Sequence, residues 1–305
     1  MDNLIPILTA AIAAGTPLVF AALGELITEK SGVLNLGVEG MMLVGAIAGF
    51  AVAATTGNLW FGILAGMVAG ALMSGIFAIL VLNLMANQVA SGLALTLFGV
   101  GLSAFVGKPF ESVSLHSQGV VEIPLLSQIP VLGAVLFKHH FLVYVSWALF
   151  AAVSWFLYKS RAGLVLRSVG ESPESAHAIG YPVLRIRYLA TLFGGAMAGL
   201  GGAHLAEFYT PMWVEGMVAG RGWIALALVV FATWRPARVM LGAYLFGGVT
   251  IAQFFAQGAG VEVTPQFLSA LPYLATIIVL VFISRNVNTI RLNSPVSLGK
   301  SYRPD

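Results

Sequence analysis

Five ionisable side chains inside or beside long apolar runs are the first candidates for chemistry in this sequence: Glu25, Glu39, Glu207, Glu215 and Arg221. A charged group within a membrane is costly and usually functional, so an acid of this kind can carry a proton or bind a coupling ion. The alternative is a side chain that extends to the membrane interface or is paired inside a helix bundle. For Glu25, Glu215 and Arg221 both explanations stay open.

Glu39 differs from the others because its surroundings interrupt an apolar run. Asn35, Gly37 and Gly40 flank it. Helices broken by glycine and polar residues commonly line the path of a transported solute. This stretch therefore favours a role in transport.

Enzymatic chemistry has little support in the composition. Membrane-embedded enzymes usually place paired acids or histidine–acid clusters around a metal or a reacting bond. Asp2 and Asp305 are the two aspartates, cysteine is absent, and the five histidines follow no H-E-x-x-H pattern: His116, His139, His140, His177 and His204. We therefore expect no catalytic centre and no metal site.

A nucleotide site is not expected either. Residues 297–301 read SLGKS, which resembles the end of a phosphate-binding loop. The position five residues before Gly299 must be glycine in such a loop, and here it is Ser294. No apolar strand precedes the segment, so the cradle of backbone N–H groups is missing. If ATP drives this protein, another subunit hydrolyses it.

The composition is typical of a membrane protein. Of the 305 residues, 59% are hydrophobic and 9% are charged, whereas soluble domains carry about 25% charged residues. A helix of about 20 apolar residues crosses a bilayer, and such runs recur from residue 4 to residue 284. They are too long and too uniformly apolar for barrel strands. We therefore predict an all-α polytopic membrane protein with a single transmembrane domain, residues 1–305.

The apolar runs predict about nine spans, within a range of eight to ten: 4–27, 34–54, 59–82, 89–106, 141–158, 188–207, 222–234, 239–255 and 267–284. The run 222–234 is short for a full crossing. Segment 28–40 contains Glu29, Lys30, Ser31 and Gly32 where two spans meet. Either place can hold a broken or re-entrant helix.

Small residues recur at four-residue spacing in two of the predicted spans, which allows close contact between helix backbones. One stripe lies in span 59–82, and a second lies in span 188–207. Their members are Gly62, Gly66, Gly70 and Ser74 in the first, and Gly195 and Gly199 beside Gly194, Ala198 and Gly202 in the second. These stripes predict dense packing and no chemistry.

Basic residues concentrate in two segments and predict the orientation. Because lysine and arginine favour cytoplasmic loops, loop 159–187 and tail 285–305 are both expected inside the cell, as is the 235–238 turn. Counting spans backwards places segment 108–140 and the N-terminus outside. The same bias, rather than nucleic-acid binding, explains the formal charge of +3. The residues are Lys159, Arg161, Arg167, Arg185 and Arg187 in the loop, and Arg285, Arg291, Lys300 and Arg303 in the tail.

The loop 159–187 carries the signature of a short helix. Ser172 can cap its N-terminus, Pro173 suits the first helical position, and Glu174 complements the positive helix end. Gly180 and Pro182 end it. A short capped helix on the cytoplasmic face suits a groove of an ATPase, and an ordinary solvated loop is the alternative.

Three separated motifs resemble one family. They are SGVLNLGVEGM at 31–41, RSVGESP at 167–173 with Ala176, Ala178 and Gly180 after it, and GRGWIALA at 220–227 followed by WRP at 234–236. Together they resemble the permeases of the branched-chain amino acid, ribose and nucleoside class of ABC importers. Within that class the chain is most similar to the simple-sugar and purine-nucleoside branch.

The resemblance implies a type II ABC importer permease in a bacterial plasma membrane, with its C-terminus in the cytoplasm. Its expected partners are an ABC ATPase, a second identical or homologous permease, an extracytoplasmic solute-binding protein and the lipid bilayer, with no nucleic acid. ATP and Mg are expected on the ATPase, and no cofactor on this chain. The residues that the resemblance assigns to coupling with the ATPase are Gly170, Glu171, Ser172, Pro173, Ala176, His177, Ala178 and Gly180.

The resemblance also implies alternating access to a weakly interacting cavity, without covalent chemistry. The most favoured solute is a nucleoside, and a monosaccharide or a branched-chain amino acid is the alternative within the class. An ion-coupled secondary transporter that uses Glu39 or Glu207 as a proton carrier is the alternative outside it. The residues predicted to line the path are Asn35, Glu39, Asn87, Gln88, Phe98, Glu207 and Trp213.

Overall fold

Long apolar helices run through the part of the chain that the structure, a computed structural model, describes: residues 4–116, 119–124, 126–258, 265–284 and 293–303. Its α-helices are α1 Leu4–Lys30, α2 Val38–Thr56, α3 Leu59–Ala78, α4 Gln88–Gly107, α5 Leu132–Leu136, α6 Phe141–Lys159, α7 Arg161–Glu171, α8 Pro173–Ala178, α9 Val183–His204, α10 Arg221–Phe231, α11 Pro236–Gly258 and α12 Pro265–Ser284. The π-helical turns Ile79–Asn83 and Leu205–Tyr209 extend α3 and α9, and short 3₁₀ turns lie at Lys108–Phe110 and Leu126–Gln128.

A small two-stranded sheet lies between α4 and α6. Strand β1, Val121–Glu122, pairs antiparallel with β2, Lys138–His139. Glu122 stands opposite Lys138, and their side chains form a salt bridge of 3.1 Å. His139 is buried, and its Nε2 lies 2.7 Å from the carbonyl oxygen of Val135. Burial lowers the pKa of His139, which favours a neutral, structural imidazole.

Seven of the described helices are long and apolar enough to cross a membrane: α1, α2, α3, α4, α6, α9 and α11. Each of the nine predicted spans falls on a helix, but α10 has only 11 residues and α12 is not among the seven. The predicted count of nine transmembrane helices is therefore not confirmed. The polytopic, mainly helical architecture is confirmed.

Segment 28–40 is interrupted as predicted, whereas the short run 222–234 forms an unbroken helix to residue 231 with a non-helical segment before it. Residues 31–37 between α1 and α2 are non-helical and mostly buried, and Gly32 has a φ of +92°. Residues 210–220 before α10 are also non-helical. One end of this second segment pairs with the loop after α4 through the bridge between Ser114 and Met212. Beyond the far end of α10, Trp234 Nε1 donates to Glu29 Oε2 near the end of α1, at 2.5 Å. Segment 210–220 and α10 thus form a stretch that contacts the loop after α4 at one end and the end of α1 at the other.

The loop predicted at 159–187 is mostly helical. Helix α7 fills its first part, and α9 begins at Val183, five residues before the predicted start. Arg185 and Arg187 therefore belong to α9 and not to a loop. Of the predicted tail, the structure describes residues 293–303; Arg285, Arg291, Asp2 and Asp305 lie outside the described residues.

The glycine stripes of α3 and α9 pack densely, as predicted, and the partner of each stripe is the other. A Cβ atom added at Gly70 would collide with the carbonyl oxygen of Gly195 and lie 2.8 Å from the Cα of Gly199. Helices α1, α2 and α9 are the most buried of the seven, and α4 and α6 are the least buried. The bundle is thus organised around α1, α2 and α9, with α3 packed directly on α9.

We predict that Gly199→Ala lowers the melting temperature of the purified protein in detergent. The new methyl group would meet the carbonyl oxygen of Gly66 and lie 3.0 Å from the Cα of Gly70, and overpacking of this kind costs about 1–3 kcal/mol. Gly101→Ala is the matched control, because α4 leaves nothing within 4 Å of that position. Equal melting temperatures for the two variants would contradict the close packing of α3 on α9.

Candidate translocation path and coupling surface

Glu39 connects the first turn of α2 to the first turn of α10. Its side chain is only 7% exposed. Gly220 N–H donates to Oε1 at 2.8 Å, and Gly222 N–H donates to Oε2 at 2.7 Å. The first N–H groups of a helix lack partners within the helix, and a carboxylate there also meets the positive end of the helix dipole. Glu39 therefore caps α10 from a neighbouring helix.

Glycine at position 222 makes this contact possible. A Cβ atom there would lie 2.5 Å from the backbone nitrogen of Glu39 and 2.8 Å from its Oε2. Any side chain would push α10 away from α2. Next to it, Arg221 Nη1 donates to the carbonyl oxygens of Met217 and Val218 at 3.1 and 3.2 Å. Of the two explanations for Arg221, local pairing inside the bundle is the one that the structure supports.

Polar side chains hold the non-helical segment 31–37 in place. Gln88 Oε1 accepts from Leu34 N–H at 2.8 Å, and Asn35 Oδ1 accepts from Gly37 N–H at 2.9 Å. Glu25 Oε1 accepts from Asn35 N–H at 3.2 Å. These bonds supply partners to backbone groups that an α-helix would otherwise satisfy. Glu25 is 1% exposed and is thus paired within the bundle rather than extended to the interface.

The remaining predicted path residues are more scattered. Asn87 is exposed and caps α4 by accepting from Ala90 N–H at 2.9 Å. Phe98 is 52% exposed on α4. Trp213 is buried in a cluster that includes Phe50, and its indole ring occupies the space beside Gly107. The structure therefore groups Asn35, Glu39 and Gln88 at segment 31–37 and the first turn of α2, whereas Trp213 lies in a separate buried cluster.

Glu207 lies in a second, separate region. It is fully buried in the π-helical turn after α9, and neither carboxylate oxygen has a hydrogen-bond partner among the described residues. Cβ atoms at Gly49 and Gly62 would lie 2.5 and 2.7 Å from its Oε1, so glycines of α2 and α3 make room for the carboxylate. Gly49 is ten residues after Glu39, or about 15 Å along α2. Glu39 and Glu207 therefore do not form one site.

The structure shows no potential metal-binding cluster of three or more histidines and acids within the described ranges. His204, one turn before Glu207, is buried and stacks on Phe208 with ring centroids 6.0 Å apart. Glu215 is exposed in segment 210–220. Of the five ionisable residues singled out from the sequence, Glu25 and Glu39 are thus the ones whose carboxylates accept hydrogen bonds from the backbone of another segment in the described part of the chain.

The short helix predicted in the loop is α8, and its boundaries have the predicted chemistry. Ser172 Oγ accepts from Ser175 N–H at 3.3 Å, Pro173 occupies the first helical position, and Gly180 follows the helix with a φ of +92°. Pro173 and Ala176 are buried against the rest of the chain. The side chains that α8 and its flanks leave exposed are Glu171, Glu174, Ser175, His177, Ala178 and Ile179.

Arg187 is a residue whose role the sequence analysis missed. It is 0% exposed, and its guanidinium donates to three oxygen atoms: the Ser31 carbonyl at 3.1 Å, Ser297 Oγ at 3.0 Å and the Lys300 carbonyl at 3.3 Å. A sequence signal for its burial exists at helical spacing, because Val183, Arg187, Ala190, Thr191 and Gly194 share the buried face of α9.

The family model of the branched-chain amino acid transport system permease component matches residues 7–282. The chain belongs to this family. The permease is therefore the membrane component of an ABC transporter, a transport subunit without an ATPase site of its own. This confirms the resemblance drawn from the three motifs.

Three relatives extend over most of the permease. A putative glucose ABC transporter permease protein of Haloferax volcanii is 42% identical, with 97% of each chain covered. A nucleoside ABC transporter permease protein of Lactococcus lactis subsp. cremoris is 35% identical over 87% of this chain and 88% of the relative. A guanosine ABC transporter permease protein of Bacillus subtilis is 33% identical over 92% of both. No solved structure matches the chain.

We predict that Glu39→Gln destabilises the permease. The amide keeps one oxygen acceptor but turns an NH₂ group toward a backbone N–H, and losing a hydrogen bond to a charged group costs about 1.5–3 kcal/mol. The measurement is thermal unfolding in detergent, with Glu215→Gln as the control because Glu215 is exposed. An unchanged melting temperature for Glu39→Gln would contradict the capping role.

Proposed function

We propose that the permease forms the membrane path of an ATP-driven importer and that its solute is a nucleoside. Helix α8 is the observation that carries the import mechanism. It is short, capped by Ser172, anchored by Pro173 and Ala176, and exposed on its other side. A rigid helix of this kind fits a groove of an ATPase subunit, so that closure of the ATPase moves α8 and the helices joined to it.

In this proposal eight residues form the coupling site: Gly170, Glu171, Ser172, Pro173, Ala176, His177, Ala178 and Gly180. Ala176 and Pro173 face the bundle, and His177 and Ala178 face the ATPase. ATP and Mg belong to the ATPase. Outside the membrane, a solute-binding protein delivers the solute, and a second permease completes the path.

The proposed orientation places α8 and the C-terminus in the cytoplasm. The close contact of Ser297 with Gly170 supports a common side for the tail and the α7–α8 region. Lys30 Nζ donates to the Asn293 carbonyl at 2.6 Å, so the end of α1 lies on that side as well. The beginning of α1 is then outside. The basic residues of the loop and tail support the assignment of this side to the cytoplasm.

The proposed solute path passes the point where α2 and α10 both begin. Asn35, Glu39 and Gln88 shape the backbone there, and Ala219 and Tyr273 are exposed beside it, with the Tyr273 hydroxyl 3.6 Å from the Cβ position of Gly220. Asn87 and Phe98 extend the path along α4. Trp213 packs against α4 at Gly107, and Glu207 lies where α2, α3 and α9 pack together.

The proton-carrier alternative is less well supported at Glu39 than at Glu207. Glu39 accepts two backbone N–H bonds, which stabilise the ionised carboxylate and so oppose the uptake of a proton. Glu207 has no such bonds among the described residues, but it is fully buried between glycines, away from the beginning of α10. An importer that takes its energy from ATP needs neither acid to change its protonation.

The nucleoside proposal rests on the relatives named for nucleosides and guanosine, and on exposed aromatic side chains that can face a flat base. Phe98 and Tyr273 are 52% and 48% exposed. Glucose is the second candidate, because the relative with 42% identity is named a putative glucose permease. A hexose has no flat base, so competition between the two solutes separates the proposals.

We predict ATP-dependent nucleoside uptake by proteoliposomes that contain the permease, its second permease and its ATPase, supplied with the solute-binding protein. Uptake of labelled guanosine should require hydrolysable ATP, persist with a protonophore, and fall with excess unlabelled nucleoside but not with glucose. Uptake of glucose alone would contradict the nucleoside proposal and leave the importer intact. Uptake that needs a proton gradient and no ATP would contradict the importer.

A further inference from the structure

The tail residues 293–303 are hydrogen-bonded to several other parts of the chain. Ser297 N–H and Ser297 Oγ both donate to the carbonyl oxygen of Gly170 in α7, at 3.0 and 2.6 Å. Gly299 N–H donates to the carbonyl oxygen of Gly32, at 3.2 Å. The tail thus bridges the helix before α8 and the non-helical segment between α1 and α2.

Arg187 reinforces the same bridge from inside the bundle. A buried guanidinium is costly unless its N–H groups are hydrogen-bonded. Two of the three oxygens to which Arg187 donates belong to the tail, at Ser297 and Lys300, and the third belongs to Ser31. Detaching the tail would therefore leave Arg187 short of two partners. The tail is held to the fold through this residue.

Tyr302 brings the tail directly under α8. It is 7% exposed and packs with Val169, Ala176 and Val183, which come from α7, α8 and α9. Its ring centroid lies 6.3 Å from that of His177, and the Arg187 Cζ lies 5.9 Å from the same ring. Ala176 of α8 therefore rests on a residue of the tail.

The tail also presents side chains to the surface beside α8. Val296 is 61% exposed, and Lys300, Ser301 and Arg303 are exposed as well. One apolar and two cationic side chains are thus exposed on a segment that contacts α8 through Tyr302. A protein surface with an apolar contact flanked by acidic side chains is the complement of this patch.

We propose that α8 and tail residues 296–303 form one composite docking surface for the ATPase subunit, and that Arg187 is the positioning residue that keeps its two parts in register. This inference rests on the proposed coupling role of α8. It adds a second contact on the ATPase, supplied by Val296, Lys300 and Arg303. Through Gly32 and Ser31, the same surface is tied to the segment that leads into α2.

Single cysteines test the surface, because the chain has no cysteine of its own. His177→Cys, Val296→Cys and Lys300→Cys are each treated with a short thiol-to-amine cross-linker in the assembled complex. Thr55 is exposed at the end of α2 that is farthest from segment 31–37, and Thr55→Cys measures the background of non-specific cross-linking. We expect all three positions to cross-link to the ATPase. Cross-linking at His177 alone would overturn the composite surface but leave the coupling proposal standing. Cross-linking at none would contradict both.

The role of Arg187 is tested in the Val296→Cys background. Arg187→Gln should reduce the cross-linking of Val296→Cys to the level seen with Thr55→Cys. When Arg187→Gln is combined with His177→Cys instead, cross-linking should persist, which shows that the complex is assembled. Arg185→Gln is the matched control, since Arg185 is exposed on the same helix. If Arg187→Gln does not assemble, Ser297→Ala removes one of its acceptors with a smaller change and should weaken the tail cross-link selectively. Undiminished tail cross-linking in the variant that assembles would overturn the positioning role.

Discussion

The hydrogen bonds from Gly220 and Gly222 to the Glu39 carboxylate join the two places where the backbone leaves the helical conformation inside the bundle. Backbone N–H and C=O groups within a membrane protein need partners, because lipid supplies none. Segment 31–37 and the start of α10 meet this requirement with side chains from neighbouring helices. The carboxylate of Glu39 satisfies two N–H groups at once, so the start of α10 depends on the start of α2.

The helices at the centre of the bundle are more closely packed than those at its edges. Glycines bring α3 and α9 into backbone contact, and interiors packed this closely transmit movement as rigid units. Helices α4 and α6 are less buried, and α8 with the tail lies at one end. Hydrogen bonds join α7 to Ser297 of the tail, Ser297 to Arg187, and Arg187 to Ser31 in segment 31–37. In the proposed mechanism, a displacement of α8 would reach the centre along this series of contacts.

Much of the fold could be predicted from the sequence, because hydropathy and helix caps are local signals. The apolar runs fell on helices, glycine and polar residues marked the break after α1, the short length of run 222–234 singled out α10, and Ser172, Pro173 and Gly180 marked α8. The nine-span count was not confirmed, because α10 has only 11 residues and α12 is not among the seven described helices that are long and apolar enough to cross a membrane. The partners of Glu39 and Arg187 were not predicted, since each bond joins residues more than 100 positions apart, and local patterns carry no information about such pairs.

The most direct test of the account is the water accessibility of position 219, where the proposed path passes the joint between α2 and α10. Ala219 is exposed beside Gly220. In the assembled transporter, which is reconstituted with cysteine-free partners, Ala219→Cys should react with a water-soluble thiol reagent, and the transported solute should slow that reaction. Labelling by lipid-soluble reagents alone, or at a rate that the solute does not change, would contradict a solute path at this joint.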